Sequence, residues 1–431
     1  MPANQTESEI QSRLTSRPRA LHRFAVFTAI LTLILLGAGG LVTSHGVGMA
    51  VPDWPNTFGY NMFFFPMSQW VGGVFFEHTH RLIASSVGLC TTILALWFYG
   101  NRARGFLRWL GAVLLVLSLG TFVSRPTRWP DAAVLAICGV AALGSSFFWP
   151  RAEPARPWLR RLGLIAFFAV VFQGVLGGMR VVLFKDQIGI FHATLAQLFF
   201  VLACALALFS SSWWEKRFGS PWNSTRPSEV LLKAVSSPRV AWLCLGATVL
   251  ILIQLVLGAT MRHQHAGLAI PDFPLAYGKV WPGLDPQNIA HYNQQRIEVL
   301  DANPITAFQI ELQMIHRIVA LAILCLVACT AWVARRQLGP QHVAAKLILA
   351  WLALIFVQAL LGAATIWSNK AADVATLHVL TGAISLALGS ILSIVLLAEI
   401  ATAGRGSLVT GLGTQPTGPF GTPAISGAGN D

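Results

Sequence analysis

Ten stretches of this chain are apolar over roughly the length that crosses a bilayer, and this constrains the fold more than any other feature. They lie near residues 24–44, 77–99, 107–123, 131–149, 162–181, 188–212, 240–261, 308–334, 346–367 and 374–400, the third and fourth being the shortest. A spanning helix needs about 20 mostly apolar residues. Inside lipid every backbone N–H and C=O must be satisfied within the protein, which helices do by themselves. The chain is 55% apolar and only 11% charged, a balance of polytopic membrane proteins rather than soluble enzymes. The expected class is an all-α polytopic membrane protein with about ten transmembrane helices.

A net charge of +13 would suit a nucleic-acid binder, but its distribution points elsewhere. With the N-terminus on the cytoplasmic side, the inner loops carry 20 Lys/Arg and the outer loops eight. That asymmetry is the positive-inside bias, so the basic balance reports topology, and no nucleic-acid partner is implied. The first segment is preceded by basic residues like a secretory signal, yet it is long and lacks a clean small-x-small cleavage site, so it reads as an uncleaved anchor. The six cysteines (Cys90, Cys138, Cys204, Cys244, Cys325, Cys329) all fall inside apolar segments. They read as small buried hydrophobes, and no disulfide framework is expected. The Gly/Thr/Pro-rich stretch after Gly404 reads as a disordered tail.

The chain repeats itself. Gly39, Gly48, Ala50, Pro52, Asp53, Pro55 and Gly59 recur as Gly258, Gly267, Ala269, Pro271, Asp272, Pro274 and Gly278, all offset by 219 residues, with Trp54 matched by Phe273. Glu77-x-x-His80-Arg81-Leu82 is echoed by Gln313-x-x-His316-Arg317-Ile318, and Gln173-Gly174-x-Leu176-Gly177 by Gln358-Ala359-x-Leu361-Gly362. The unit is four helices with a long first outer loop, giving two pseudo-symmetric four-helix bundles. His80 and His192 are 112 residues apart but His316 and His378 only 62. The excess matches residues 105–154, read as an inserted helical hairpin; two extra spans leave the later topology unchanged. The expected organisation is a cytoplasmic tail (1–23), a first bundle with the hairpin (24–212), a cytoplasmic linker (213–239), a second bundle (240–400) and the tail (401–431).

His80, His192, His316 and His378 each lie just inside the same, outer end of an apolar segment. Ionisable residues within a membrane are costly, so their default reading is functional. Two neutral imidazoles from two helices can clamp a haem iron, and four-helix bundles commonly build cofactor sites from facing helices. Glu77 stands one turn before His80 on the same face, whereas its counterpart Gln313 cannot ionise. That asymmetry suggests proton-coupled chemistry in the first half and electron transfer in the second. Arg81 and Arg317 suit haem propionates; the competing account has them snorkelling or pairing with a loop Asp. His78 points about 100° from His80 and reads as a rim residue rather than a ligand. His45, His263, His265 and His291 in outer loops, and His22 and His342 at inner helix ends, read as solvated. The proline-fixed Pro-Asp-aromatic-Pro loops suit either a cover over a macrocycle or plain interfacial turns.

Taken together, Glu77-x-x-His80-Arg81, Phe191-His192-Ala193, Ile315-His316-Arg317 and Leu377-His378-x-x-Thr381-Gly382, with the two loops, resemble the haem A synthase family. The resemblance covers nearly all of residues 20–400 apart from the hairpin. It implies an enzyme that oxidises the C8 methyl of haem O to the formyl group of haem A for cytochrome oxidase. It places the substrate haem on His80 and His192, a haem b relay on His316 and His378, and the important glutamate at Glu77. Methyl oxidation further requires oxygen or its equivalent and an external electron donor; haem O synthase is the expected supplier of substrate. A bacterial-type inner (cell) membrane is implied, with the haem sites near its outer face. Many relatives carry an outer-loop cysteine pair, which this chain lacks, and the hairpin is extra. The rival readings are a di-haem b-type cytochrome limited to electron transfer and a haem-binding scaffold or transporter; clustering of the polar residues at one membrane face counts against transport.

Overall fold

The computed structural model describes residues 7–183, 185–218, 237–296 and 304–412, with side chains described except for residues 7–18, 186 and 404–412. Among the described residues ten helices are long and apolar enough to cross a membrane. They are α1 (Glu7–Ser44), α2 (Gly72–Phe98), α3 (Ala103–Ser124), α4 (Trp129–Phe148), α5 (Pro157–Leu183) and α6 (Asp186–Phe209); after the short α7 (Ser212–Phe218) come α8 (Pro238–His263), the short loop helix α9 (Pro286–Gln294), α10 (Ala307–Gln337), α11 (Val343–Trp367) and α12 (Ala372–Leu412). The ten apolar stretches therefore all become helices, the two shortest included. Polar residues end an apolar span but need not end a helix. Accordingly α1 already runs through most of the stretch expected as an N-terminal tail, and α12 continues to Leu412, into the expected C-terminal one. Residues 413–431, and 219–236 of the expected linker, lie outside the described residues.

Helix starts follow local chemistry. Thr306 and Gln309 form a capping box at α10, and the Ser237 side chain caps α8 ahead of Pro238 at its first position; each arrangement satisfies N–H groups that have no intrahelical partner.

Helices α1, α2, α5 and α6 form one ring of neighbours and α8, α10, α11 and α12 a second, so α2 lies diagonal to α6, and α10 to α12. The rings meet where α1 packs on α12, and where α6 packs on both α8 and α12. At the C-terminal end of α6 the short α7 straps the assembly. Glu215 pairs with Arg156 at 2.9 Å, and Arg217 reaches Glu399 of α12 at 2.6 Å. The second bundle has a continuous apolar core around Trp351, Ile348, Val327 and Leu396, with the Trp351 indole N–H donating to the Ser385 carbonyl at 3.0 Å. The first is built around Phe98, Leu94, Val87 and Leu206.

The hairpin α3–α4 stands beside the first bundle. Its helices pack on each other, approaching so closely at Gly111 that a Cβ there would lie 2.9 Å from the Gly139 carbonyl oxygen. Pins hold its two ends: at the tip Asn61 donates to Asp131 at 2.8 Å, and at the base the Trp149 indole N–H donates to the Gly100 carbonyl at 3.2 Å.

The loop between α1 and α2 and the loop that follows α8 take the same shape. Asp53 accepts the N–H groups of Phe58 and Gly59, both at 2.8 Å. Asp272 accepts those of Tyr277 and Gly278 at 2.7 and 2.9 Å. Phe58–Gly59 and Tyr277–Gly278 all have positive φ, which glycine adopts freely and which the carboxylate holds in place at the non-glycine position. Both aromatic–proline bonds, Trp54–Pro55 and Phe273–Pro274, are cis.

Candidate functional site

The four histidines lie in the first three turns of α2, α6, α10 and α12, the diagonal helices of the two rings. His80 and His192 are within electrostatic reach of each other, as are His316 and His378. The structure thus assembles the two pairs that the sequence spacing suggested.

Each imidazole is seated in the same way. Its Cε1 rests on a glycine of the neighbouring helix: a Cβ would lie 3.0 Å from His80 at Gly39, 3.3 Å from His192 at Gly177, 3.3 Å from His316 at Gly258 and 3.1 Å from His378 at Gly362. One turn before Gly362 a carbonyl is presented to the His378 ring. His378 Nδ1 bonds the Gln358 carbonyl at 3.1 Å. Nδ1 of His80, His192 and His316 is buried without a hydrogen-bond partner. Gln173 and Gln254 fasten the histidine backbones by donating to the carbonyls of His192 at 3.1 Å and His316 at 2.9 Å. Among the described residues Nε2 of none of the four makes a hydrogen bond, and all four rings are half-buried. Nδ1 is thus sealed in the wall at all four rings and bonded to it at His378, and Nε2 is left for a ligand. At His378 the bond to the far nitrogen is the kind by which proteins orient metal-binding histidines.

Among the described residues no cluster of three or more His, Cys, Asp or Glu side chains is arranged to hold a metal ion. A bare ion would find too few ligands at either pair. An iron that brings four equatorial nitrogens in a macrocycle needs only the two axial imidazoles on offer, so the residues present fit haem.

Glu77 and Gln313 are buried at 4% and 2% exposure, which makes their partners decisive. Glu77 Oε2 accepts the Val51 N–H at 2.9 Å and Oε1 accepts from Arg81 at 2.7 Å. Gln313 accepts the Ile270 N–H at 2.8 Å and donates to the Ile270 carbonyl at 3.3 Å. Both therefore hold the loop that carries the Pro-Asp-aromatic-Pro motif of their half, and only Glu77 is ionisable.

Several sequence expectations change. Arg81 and Arg317, read as propionate partners, are committed to the loops. Arg81 donates to the carbonyls of Val51, Asp53 and Asn56 at 2.8 to 3.0 Å, while Arg317 donates to those of Asp272 and Leu275 at 2.7 and 2.9 Å and lies over the Phe273 ring. Directly following a histidine, each faces the loop that folds down beside it, where bent backbone offers unpaired carbonyls. His78 is not at the rim: it is fully buried against Thr57, Phe65 and Trp70. His263 is not solvated either. It is buried at the end of α8, on Gly189 of α6. His22 is half-buried and bonds the Ala207 carbonyl, and His342 caps α11, whereas His45, His265 and His291 are exposed as expected. Of the six cysteines, all free, Cys138, Cys325 and Cys329 face outwards rather than into a core.

Trp54 sits on Gly178 of α5, where a Cβ would lie 2.3 Å from its ring, and Phe273 meets Trp367 of α11 edge-on at 6.0 Å. Both loop aromatics thus dock on a bundle wall, Trp54 on α5 and Phe273 against α11.

Comparisons with known proteins identify relatives of the chain. A protein of Rhizorhabdus wittichii named heme A synthase is 26% identical over 372 residues, covering 84% of this chain and 90% of its own length. One of Shouchella clausii with the same name is 25% identical over 269 residues, covering 61% of this chain and 66% of its own. Residues 132–389 match the model of a family described as cytochrome oxidase assembly protein, COX15-CtaA. With more than half of its length matched, the chain belongs to the COX15-CtaA family of cytochrome oxidase assembly proteins.

Proposed function

We propose that this chain is a haem A synthase, a multi-pass membrane oxidoreductase that converts the C8 methyl of haem O into the formyl group of haem A. The observation that carries the reading is the duplicated histidine seat, with Nδ1 walled off, Cε1 on glycine and Nε2 open, in two bundles that differ by a carboxylate at Glu77 and an amide at Gln313.

In this reading His80 and His192 hold the iron of the substrate haem and His316 and His378 that of a resident haem b. When bound, haem b supplies a one-electron relay between an external donor and the first site. The protein's own part is to orient and to exclude. The glycine seats fix both imidazole planes, and the two aspartate-braced loops close the ends of the bundles. Removing hydrogen from a methyl group releases protons, and Glu77 is the ionisable carboxylate placed to accept one. Its two oxygens, each bonded once, keep a lone pair apiece, and Arg81 lies beside it at 2.7 Å. At Gln313 no such acceptor exists, which suits a site that passes only electrons.

The excess of Lys/Arg in alternate loops supports a cytoplasmic N-terminus in a bacterial-type inner membrane, with both sites near the outer face. The division into a substrate bundle (24–212) and a haem b bundle (240–400) follows the same assignment, and haem O synthase is the natural source of a substrate too apolar to travel through water.

The test is haem extraction, with chromatography and mass analysis, from the protein purified from cells that also make haem O. Haem A that appears only when this protein is present supports the synthase. Haem b alone beside abundant haem O would overturn it in favour of an electron-transfer cytochrome.

A further inference from the structure

The loop between α1 and α2 ends in a run unlike an ordinary surface turn. The sequence has no Asp, Glu, Lys or Arg between Asp53 and Glu77. Within that stretch Met62–Phe64 and Met67–Gln69 form two short turns of 3₁₀ helix. Phe65 between them points inwards, buried against the His78 ring at 5.1 Å between centroids. Phe63, Phe64 and Met67 point outwards and are 52%, 42% and 78% exposed. Adjoining large apolar side chains left open in this way mark a contact surface.

The level of the run decides what it meets. His78 follows the first residue of α2 by six positions, about 9 Å along the helix, and Trp70 as well as Phe65 packs on its ring. The chain therefore folds back beside the first two turns of a spanning helix. On the other side Phe64 meets Trp129, the first residue of α4, at 5.8 Å between centroids, one residue group away from the Asn61–Asp131 bond. The run is wedged between the starts of two spans and level with them. Apolar surface continues from it in both directions, to Val71 and Phe75 of α2 and to Phe122 and Val123 of α3, all exposed.

The other half of the molecule solves the same problem differently. The loop that follows α8 exposes Val280 and Trp281, but between Lys279 and Asp285, and it goes on to form α9, where Gln287, His291 and Gln294 are exposed. Its apolar residues are spent inside: Tyr277 stacks on Tyr292 at 3.7 Å, beside Ile270, Ile305 and Met314. That loop builds a core of its own and covers it with polar side chains. The loop between α1 and α2 turns its apolar side chains outwards instead.

We propose that Met62–Met67 is a membrane foot: Phe63, Phe64 and Met67 insert into the bilayer where headgroups meet acyl chains, and lipid is the partner that holds this loop in place. Aromatic side chains anchor well at that level, and the run is continuous with the surface that α2 and α3 already turn to lipid. The hairpin gains a purpose, because its tip, bonded to Asn61 and packed on Phe64, sets the position of the foot. The same loop carries Trp54, seated on Gly178 of α5, so the bilayer steadies the stretch that lies across the first bundle. The inference does not depend on what the histidines hold.

The test uses the full-length protein in vesicles of phosphatidylethanolamine and phosphatidylglycerol with isotope-labelled acyl chains. Photoreactive p-benzoylphenylalanine replaces, one at a time, Phe63, Met67, the exposed Leu119 of α3 and the exposed Gln287 of α9. Mass analysis after irradiation reads phospholipid adducts. Phe63 and Met67 are expected to give them as Leu119 does, and Gln287 to give none. Adducts at Phe63 and Met67 no more frequent than at Gln287 overturn the proposal. So do adducts there to a second copy of the chain, which would make the run a protein contact. The anchoring role has its own readout in Phe63→Ser combined with Met67→Ser, two exposed positions on which folding of the helices does not rest. Burying one such side chain is worth about tenfold in an equilibrium, so protease cleavage within residues 55–71 in vesicles should rise about tenfold or more. An unchanged cleavage rate would show that lipid does not hold the loop.

Discussion

Gln313 bonds the backbone of Ile270 where, in the other half of the molecule, Glu77 bonds that of Val51. The pair shows that an amide can do the loop-holding work of the carboxylate, so charge and architecture are separable at this position. Glu77→Gln is therefore expected to stay folded, losing one charge-assisted bond to Arg81, about 1.5–3 kcal/mol, while Arg81 keeps its three loop carbonyls. Haem A formation should fall by about 100-fold or more, the usual contribution of a positioned proton acceptor. Haem content and turnover measured on one preparation decide the matter. Turnover close to wild type would reduce Glu77 to a loop latch.

The glycine seats make a prediction with opposite signs for stability and binding. Alanine is worth about 1 kcal/mol over glycine inside a helix, so Gly258→Ala should not weaken α8. Its Cβ would nevertheless stand 3.3 Å from His316 Cε1, tight enough to tilt the ring. We expect reduced resident haem and an altered low-spin spectrum at unchanged or higher thermal stability of the haem-free protein. Gly39→Ala, at 3.0 Å from His80, should do the same to substrate haem only. Equal haem content in the Gly258 variant would mean that the seat is incidental.

Much of this was legible in the sequence, and the exceptions have physical reasons. The helices follow from apolar length, and the histidine pairs from a repeat whose spacing places them on diagonal helices. The glycine seats were also in view, since Gly39 repeats as Gly258 and Gly177 as Gly362, four residues after Leu35, Gln254, Gln173 and Gln358. Their role depends on which neighbouring helix faces which ring, and no single helix encodes that. For Arg81 and Arg317 the sequence left propionate binding and loop pairing equally open, because the carbonyls they bind lie some 25 to 45 residues away. His263 looked like a loop residue because α8 continues past its apolar stretch. What makes it internal is Gly189 on a different bundle.

His316→Ala should remove resident haem b and leave the first site able to take substrate haem, because the two seats share no residue. His80→Ala and His192→Ala should disturb substrate haem and spare haem b. Quantifying each haem in the three variants by extraction checks the assignment. Unchanged haem b in the His316 variant would remove that histidine from the ligand set.

Arg81→Gln tests whether the outer loop is a working part of the first site. Replacing the guanidinium leaves the carbonyls of Val51, Asp53 and Asn56 without their common donor and leaves Glu77 as a buried carboxylate without its cation. Breaking a buried ion pair from one side costs about 3–5 kcal/mol, and here the cost falls mainly on the contact between loop and helix. The expected outcome is faster proteolysis within residues 51–71, with the transmembrane helices still protected. Substrate haem should bind more weakly, because Trp54 would no longer be pinned over Gly178. Arg317→Gln should loosen the second loop less, since Gln313 is neutral and keeps both of its bonds to Ile270. Comparing cleavage rates of the two loops in the two variants gives the answer, and equal protection in wild type and Arg81→Gln would show that Asp53 and the prolines hold the loop without the arginine.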